Sequence, residues 1–178
     1  PYGISISHNG NLTNAQELKR DLRKKDLRHL NTESDSEVLL NVFAHELQSQ
    51  GSIRPGYKEI FEAVRATQNR IRGAYSVILM INGIGVVGFR DPNGIRPLIL
   101  GCKENDLLGS DYVLASESTV LDVLGFDVVE DVKPGEAIFL DESGNMKREN
   151  CASTVAHTPC IFEYVYLARP DAKIDEIS

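Results

Sequence analysis

Residues 74–89 read AYSVILMINGIGVVGF, and this stretch decides the fold class of the chain. Two runs rich in apolar and β-branched residues, 74–81 and 84–89, flank the pair Asn82-Gly83. An Asn-Gly pair in this position is typical of a two-residue β-hairpin, because both residues tolerate the positive φ that the turn needs. The stretch therefore predicts two neighbouring antiparallel strands.

The return strand of this hairpin contains GIGVVG at 83–88, which matches the G-x-G-x-x-G pattern of dinucleotide-binding proteins. That pattern needs a helix that begins directly after the glycines. The residues DPNG at 91–94 predict a turn instead, and proline there prevents the helix. The sequence therefore argues against a nucleotide site at these glycines.

The sequence before the hairpin predicts one strand and three helices. Residues 2–7 alternate between apolar and polar and predict a strand that ends in a turn at Asn9-Gly10. Capping-box patterns at Thr13 and Ser34 begin the first two helices, and the charged face of the first helix, which includes Lys19, is expected in solvent. The three helices are expected to end near Lys25, Gly51 and Ile71.

The sequence after the hairpin predicts short strands and one short helix. The strands are expected at 95–100, 112–115, 126–132 and 137–140, and the helix at 117–124. Because helices come first and antiparallel hairpins follow, the predicted fold class is α+β rather than a parallel βαβ chain. Residues 153–159 predict a linker.

Composition excludes several classes of function. The chain has 178 residues, 42% of them hydrophobic, and a formal net charge of −7 without a basic stripe, so it predicts no nucleic-acid partner. No apolar run approaches the ~18 residues of a membrane span. Three cysteines do not form a disulfide framework, which favours a reducing, cytoplasmic location.

Three features could carry chemistry, and the residues alone leave each of them open. The Asn9 side chain beside the Gly10 N–H could form an oxyanion hole or only a turn. Asp35 begins a helix, where a carboxylate could bind an ammonium group or only interact favourably with the helix dipole. Arg90 and Arg96 flank a rigid turn and could hold a carboxylate or lie outside it.

A set of motifs in one order carries a resemblance that covers essentially the whole chain. The motifs are HNGN (8–11), SDSE (34–37), RDPNGIRPL (90–98), ASES (115–118), KPGEA (133–137) and EYVYLARPD (163–171). This set closely resembles the amidophosphoribosyltransferases, the glutamine-dependent first enzymes of purine synthesis. The first two motifs indicate only a class II glutamine amidotransferase, and EYVYLARPD is the most specific. That family typically has Phe and Ser where this chain has Leu167 and Ala172.

The resemblance implies a fold and a domain organisation. The fold is that of the Ntn hydrolases, a four-layer αββα sandwich with antiparallel sheets, here lacking its N-terminal part. Residues 1–153 would form the glutaminase domain, and residues 154–178 a linker and the start of a phosphoribosyltransferase domain.

The resemblance also implies a reaction and its residues. Glutamine would be hydrolysed at an N-terminal cysteine, and the ammonia would displace pyrophosphate from phosphoribosyl pyrophosphate to give phosphoribosylamine. Asn9 and Gly10 match the family's oxyanion hole, and Asp35 matches its ligand for the glutamine α-ammonium. The nucleophilic cysteine would lie upstream of Pro1, so the 178 residues by themselves are expected to be inactive.

Cofactors and partners follow from the same resemblance. A Mg²⁺ site is expected beyond Ser178, in the phosphoribosyltransferase domain. Some family members bind a [4Fe-4S] cluster through a cysteine placed like Cys160. The full-length protein is expected to form homo-oligomers. The alternatives are another class II amidotransferase, of the asparagine synthetase or glucosamine-6-phosphate synthase type, or a non-catalytic binding module of the same fold.

Overall fold

The computed structural model describes residues 2–105, 109–167, 169, 172 and 175. Eight strands and four helices follow one another along these residues, and a π-helical turn, Glu163–Leu167, lies near the end. The strands are β1 (Ile4–Leu12), β2 (Gly73–Ile81), β3 (Gly85–Arg90), β4 (Ile99–Asn105), β5 (Gly109–Ala115), β6 (Asp127–Asp131), β7 (Glu136–Asp141) and β8 (Met146–Asn150). The helices are α1 (Ala15–Lys24), α2 (Asp35–Ser49), α3 (Tyr57–Arg70) and α4 (Ser118–Leu124).

The strands form two antiparallel sheets. The larger sheet has the order β1-β2-β3-β7-β8, and the smaller has the order β5-β4-β6. The predicted hairpin at Asn82-Gly83 is confirmed, since Ile81 of β2 pairs with Gly85 of β3. Every pairing described is antiparallel, so the α+β class is confirmed.

The main core lies between α1–α3 and one face of the larger sheet. Alternate residues of β2 point to this face, and Val77 and Leu79 are completely buried there. The apolar stripe of α2, with Val42 and Phe43, covers them. Helices α2 and α3 thus each bury one face in this core.

The opposite face of the larger sheet packs on the smaller sheet, through a second core that includes Leu98, Leu100 and Ile138. Helix α4 covers the outer face of the smaller sheet, where Leu121 packs against Ile99. The order of layers is therefore helices, sheet, sheet, helix. The four-layer αββα sandwich that the resemblance implied is confirmed.

The glycines of the G-x-G-x-x-G pattern have packing roles. A Cβ on Gly85 would lie 2.2 Å from the carbonyl oxygen of Leu140 on β7. A Cβ on Gly88 would lie 2.5 Å from Leu114 of the smaller sheet. These glycines let one strand and then the other sheet approach closely, and no helix follows them.

The predicted turn at Asn9-Gly10 is wrong. Strand β1 continues through both residues to Leu12, and Asn9 and Gly10 pair with Ser76 and Tyr75 of β2. Gly10 has a φ of +148°, which a residue without a Cβ can adopt inside a strand. The Asn-Gly pair therefore marks an unusual strand conformation instead of a reversal.

The start and the surface of α1 also differ from expectation. Its N-cap residue is Asn14, whose side chain bonds to Arg70 and Arg72 instead of capping the helix. Lys19 is buried rather than solvated, because its ammonium group bonds the backbone carbonyl and the carboxylate of Glu33. Local patterns could not reveal these contacts, which join separate parts of the chain.

The C-terminal half contains two further differences. The strand expected from residue 95 begins only at Ile99. The N–H groups of Ile95 and Arg96 donate hydrogen bonds to the Asp91 carboxylate, so they are not available to a neighbouring strand. Strand β8 was not predicted, since its sequence MKREN has few apolar residues. The predicted domain start at 154–178 falls partly outside the described residues.

Candidate active site

Asn9 lines a cavity between the two sheets. In β1 alternate side chains point to opposite faces, so Ser7 and Asn9 face the smaller sheet while Ile4 and Ile6 pack towards the helices. The cavity has a volume of about 190 Å³. Its lining residues are Ser7, Asn9, Ser76, Ile78, Leu98, Leu114, Ala115, Ser116 and Val120. The Asn9 amide thus lies at a cavity that is lined by both polar and apolar groups.

Gly10 allows β1 and β2 to approach each other more closely than other residues would permit. A Cβ at Gly10 would lie 2.1 Å from the carbonyl oxygen of Ala74 and 2.7 Å from the Cα of Tyr75. Both distances are far below van der Waals contact. Any side chain here would therefore distort the strand that carries Asn9.

Asp35 is attached to the end of the same strand. It is the first residue of α2, and its Oδ2 accepts a hydrogen bond of 3.0 Å from the N–H of Leu12. The predicted cap is confirmed in part, because the Ser34 hydroxyl accepts a bond of 3.2 Å from the Ser36 N–H. The Asp35 side chain is 23% exposed, so part of it remains accessible to a solute.

The other half of the expected capping box is wrong. The Glu37 carboxylate accepts bonds from the N–H groups of Asn31 and Thr32 instead of from Ser34. These bonds lower the pKa of Glu37 to about 2. Glu37 therefore stabilises the loop before α2 as an anion.

His8 is a site residue to which the sequence analysis assigned no role. Its side chain is 1% exposed, and its Nδ1 lies 3.1 Å from the Ser36 hydroxyl and 3.9 Å from the Asp35 carboxylate. Its Nε2 is buried and has no partner among the described residues. Burial lowers the pKa of the imidazole, although the Asp35 charge acts in the opposite direction. His8 therefore favours the neutral form.

The structure brings the predicted residues to one strand but divides them between its two faces. Asn9 points into the cavity between the sheets, whereas His8 and Asp35 meet on the side of the helices. Alternation along a strand would have shown this division, had residues 8–11 been recognised as strand rather than turn.

The described residues do not form a metal centre. They contain no group of three or more His, Cys, Asp or Glu side chains placed to hold a metal ion. Cys160 is half-buried and Cys151 is buried, and burial raises the pKa of the Cys151 thiol to about 12. Among the described residues, Cys160 is the one candidate ligand that the resemblance implies for an iron–sulfur cluster, and its partner cysteines were expected outside this chain.

The turn that follows β3 is organised by Asp91. Its carboxylate accepts bonds from the N–H groups of Asn93, Ile95 and Arg96, and its backbone carbonyl accepts a bond from Gly94. The predicted turn at 91–94 is confirmed. The flanking arginines do not lie outside it, because Arg90 is 1% exposed.

Hydropathy of the helices bears on the expected absence of a membrane span. Within the described part of the chain, no helix has both the length and the apolar character that crossing a bilayer requires.

Two curated relatives match this chain along its whole length. It is 53% identical over 178 residues to an amidophosphoribosyltransferase of Escherichia coli and 52% identical over 178 residues to one of Pseudomonas aeruginosa. Each comparison covers 100% of this chain and 35% of the relative. The chain therefore spans about a third of the length of these curated relatives.

A solved structure and a family profile agree with these relatives. The B. subtilis glutamine phosphoribosylpyrophosphate amidotransferase, complexed with ADP and GMP, matches with a TM-score of 0.79 and 34% identity, over 98% of this chain and 35% of that one. The profile of the family described as "Glutamine amidotransferase domain" matches residues 2–123. Since this match includes more than half of the chain, the chain belongs to the glutamine amidotransferase domain family.

Proposed function

We propose that this chain is the glutamine-hydrolysing part of an amidophosphoribosyltransferase, the first enzyme of de novo purine synthesis. In the full reaction, water and glutamine give glutamate and ammonia. The ammonia then displaces diphosphate from phosphoribosyl pyrophosphate and gives 5-phosphoribosylamine. The observation that carries the proposal is the Asn9 amide at the cavity between the sheets, directly before the sterically required Gly10.

The first proposed role is stabilisation of an oxyanion. Attack of a thiolate on the side-chain carbonyl of glutamine makes a tetrahedral intermediate with a negative oxygen. The Asn9 side-chain N–H and the Gly10 backbone N–H would donate hydrogen bonds to that oxygen. Donors that the fold holds in place in a cavity between two packed sheets act more strongly than in water, because the surroundings screen them less. In this proposal the thiolate comes from an N-terminal cysteine of the full-length protein.

The second proposed role is recognition of the substrate's α-ammonium group. The Asp35 carboxylate is fixed by the Leu12 N–H and remains partly exposed. It lies at the N-terminus of α2, where the helix dipole interacts favourably with a negative charge. A charge-assisted hydrogen bond donated by the substrate's ammonium group to this carboxylate would orient the substrate.

The remaining parts of the proposal depend on the resemblance and the names of the relatives. Phosphoribosyl pyrophosphate would bind outside these residues, together with Mg²⁺. Homo-oligomeric assembly and a cytoplasmic location belong to the same proposal. A [4Fe-4S] cluster at Cys160 has no supporting ligand set among the described residues, so no step of the proposed reaction involves it.

The test separates glutamine use from synthesis with free ammonia. In the full-length protein, Asn9→Ala should lower the glutamine-dependent rate by about 10²–10³, the usual loss for one oxyanion-hole donor. The rate with ammonia should stay within about twofold, because ammonia bypasses the oxyanion step.

Asn69→Ala is a matched control, because it makes the same chemical change on the exposed side of α3. It should alter neither rate. Equal loss of both rates in Asn9→Ala would mean that Asn9 supports only the structure. Unchanged glutamine use would contradict its role in the oxyanion hole.

A further inference from the structure

Two arginines at the turn after β3 each hold a carboxylate of the C-terminal segment. The Arg90 guanidinium donates to both oxygens of Asp175, over 2.7 Å and 2.9 Å. Arg96 donates to Glu163, whose side chain is 5% exposed. We call these four residues the arginine clasp. It joins parts of the chain that are 85 and 67 residues apart in sequence.

Arg90 needs a carboxylate at this position. Its side chain is 1% exposed, and its remaining N–H groups donate to the backbone carbonyls of Arg96, Val132 and Gly94 over 2.7–2.9 Å. Carbonyl oxygens satisfy the donors but do not neutralise the charge. A buried guanidinium without an anion is costly, so the ion pair with Asp175 stabilises the arrangement of the turn.

Asp175 also makes polar contacts with two residues of the C-terminal part of the chain. The His157 Nε2 lies 3.2 Å from its carboxylate, and the Tyr164 hydroxyl lies 3.4 Å from it. Burial would raise the pKa of Asp175, but hydrogen bonds and charge from Arg90 outweigh this and lower it. Asp175 is thus one of the points at which the C-terminal part of the chain is fixed to the sandwich.

The clasp lies in line with the candidate active site. Arg90 of β3 pairs with Ser76 of β2, and Ser76 pairs with Asn9 of β1. Ser76 is 3% exposed and lines the same cavity as Asn9. Neighbouring strands are about 4.8 Å apart, so Arg90 is roughly 10 Å from Asn9 across the sheet. The three laterally paired residues Arg90, Ser76 and Asn9 therefore connect the clasp with the proposed oxyanion donor.

We propose that Arg90 is a positioning residue for glutamine hydrolysis and that Asp175, by docking the C-terminal segment on it, sets its geometry. The docked carboxylate holds the row Arg90–Ser76–Asn9 in the arrangement that orients the Asn9 amide. This inference rests on the proposed function of Asn9. According to this inference, the protein hydrolyses glutamine efficiently only when its own C-terminal segment is docked on Arg90.

The test uses Asp175→Asn in the full-length protein, a change that keeps the shape of the side chain and removes its charge. The kcat of glutamine-dependent synthesis should fall by about 10–100-fold, as expected when catalytic groups move by about an ångström. The KM for glutamine and the ammonia-dependent rate should stay within about twofold, since neither depends on orienting the Asn9 amide.

Asp127→Asn is the matched control, because it makes the same chemical change at an exposed carboxylate of the smaller sheet. It should leave all three quantities at the wild-type values. A wild-type kcat in Asp175→Asn, or equal losses of glutamine-dependent and ammonia-dependent rates, would overturn the positioning role. A wild-type protein that does not hydrolyse glutamine would instead overturn the proposed function.

The second ion pair of the clasp provides a test if Asp175→Asn fails to fold. Arg96→Glu should lower the glutamine-dependent kcat, and adding Glu163→Arg should restore most of it, because the exchange rebuilds the ion pair with reversed charges. Restoration supports docking through the clasp. A double variant no better than Arg96→Glu overturns it.

Discussion

Replacing Gly10 with alanine tests the close contact on which the candidate site depends. The new Cβ would lie 2.1 Å from the Ala74 carbonyl oxygen, and the residue would have to keep a φ of +148° or leave it. Neither neighbour can move easily, because both atoms nearest to the Cβ belong to the backbone of β2. Strand β1 must therefore separate locally from β2.

The expected cost has two parts. Holding alanine in so sparsely populated a backbone region costs about 1–3 kcal/mol. Separation of β1 from β2 would also break hydrogen bonds between the flanking residues of the two strands, and two such bonds would cost roughly 0.5–1.5 kcal/mol each. A total of about 4 kcal/mol would lower the Tm of a chain of this size by about 8–16 °C.

Gly83→Ala is the matched control. Gly83 also has a positive φ, of +70°, but a Cβ there would meet no atom within 4 Å. Its cost is about 1–2 kcal/mol, from the left-handed backbone alone. Both changes reduce the entropy of the unfolded chain to the same extent, so the difference between them reports the contact with β2 together with the different backbone conformation of Gly10.

Thermal unfolding followed by far-ultraviolet circular dichroism measures both variants. Equal Tm values for Gly10→Ala and Gly83→Ala would refute the argument, because they would mean that β1 and β2 do not approach as closely at Gly10 as the structure has them.

Two further predictions concern buried ionisable groups. The pKa of His8 is lowered from 6.5 by burial, so its contribution to stability is complete above that pH and is lost as the pH falls towards the folded-state value. His8→Gln should flatten the fall in the free energy of urea unfolding below pH 6.5, and an unchanged slope would contradict this assignment. Burial raises the pKa of Cys151 to about 12, so mass spectrometry should find it unlabelled by a thiol reagent at pH 8 in the native protein and labelled in urea. Native labelling as fast as that of Cys160 would contradict its burial.

Two Asn-Gly pairs show where sequence patterns predict structure and where they fail. Asn82-Gly83 forms the expected hairpin, because both flanking runs pair with each other. Asn9-Gly10 continues a strand, because its partner is β2, more than 60 residues further along the chain. An Asn-Gly pair indicates which backbone angles are accessible. Whether these angles form a turn or continue a strand depends on the partner strand.

The helices could be predicted because their sequence signal is local. The inward faces of α2 and α3 depend on a periodicity that a short window of sequence contains. Burial of Lys19 depends on Glu33, which lies on a separate loop, and the polar strand β8 depends on pairing with β7. Elements whose stability comes from distant partners carry little local signal.

The residues of the candidate site likewise differ in how much of their role a local sequence pattern predicts. Asn9, Gly10 and Asp35 were found through motifs, but the role of His8 was not, because its contact with Ser36 spans 28 residues. The arginine clasp spans still more of the chain. The turn motif identified Arg90 and Arg96 as unusual, yet only the folded chain reveals which carboxylates they hold.

The register of β1 on β2 determines which of its side chains can take part in chemistry. Because alternate residues face opposite sides, a slip of one residue would bring His8 into the cavity and turn Asn9 towards the helices. Gly10 and Gly73 prevent this slip, since a Cβ on either would lie 2.1 Å from a carbonyl oxygen of the other strand. The two close contacts are reciprocal and exist only where Gly10 pairs with Tyr75 and Gly73 with Leu12. In any other register a residue with a Cβ would occupy at least one of these positions, so the glycines that distort β1 also keep Asn9 at the cavity.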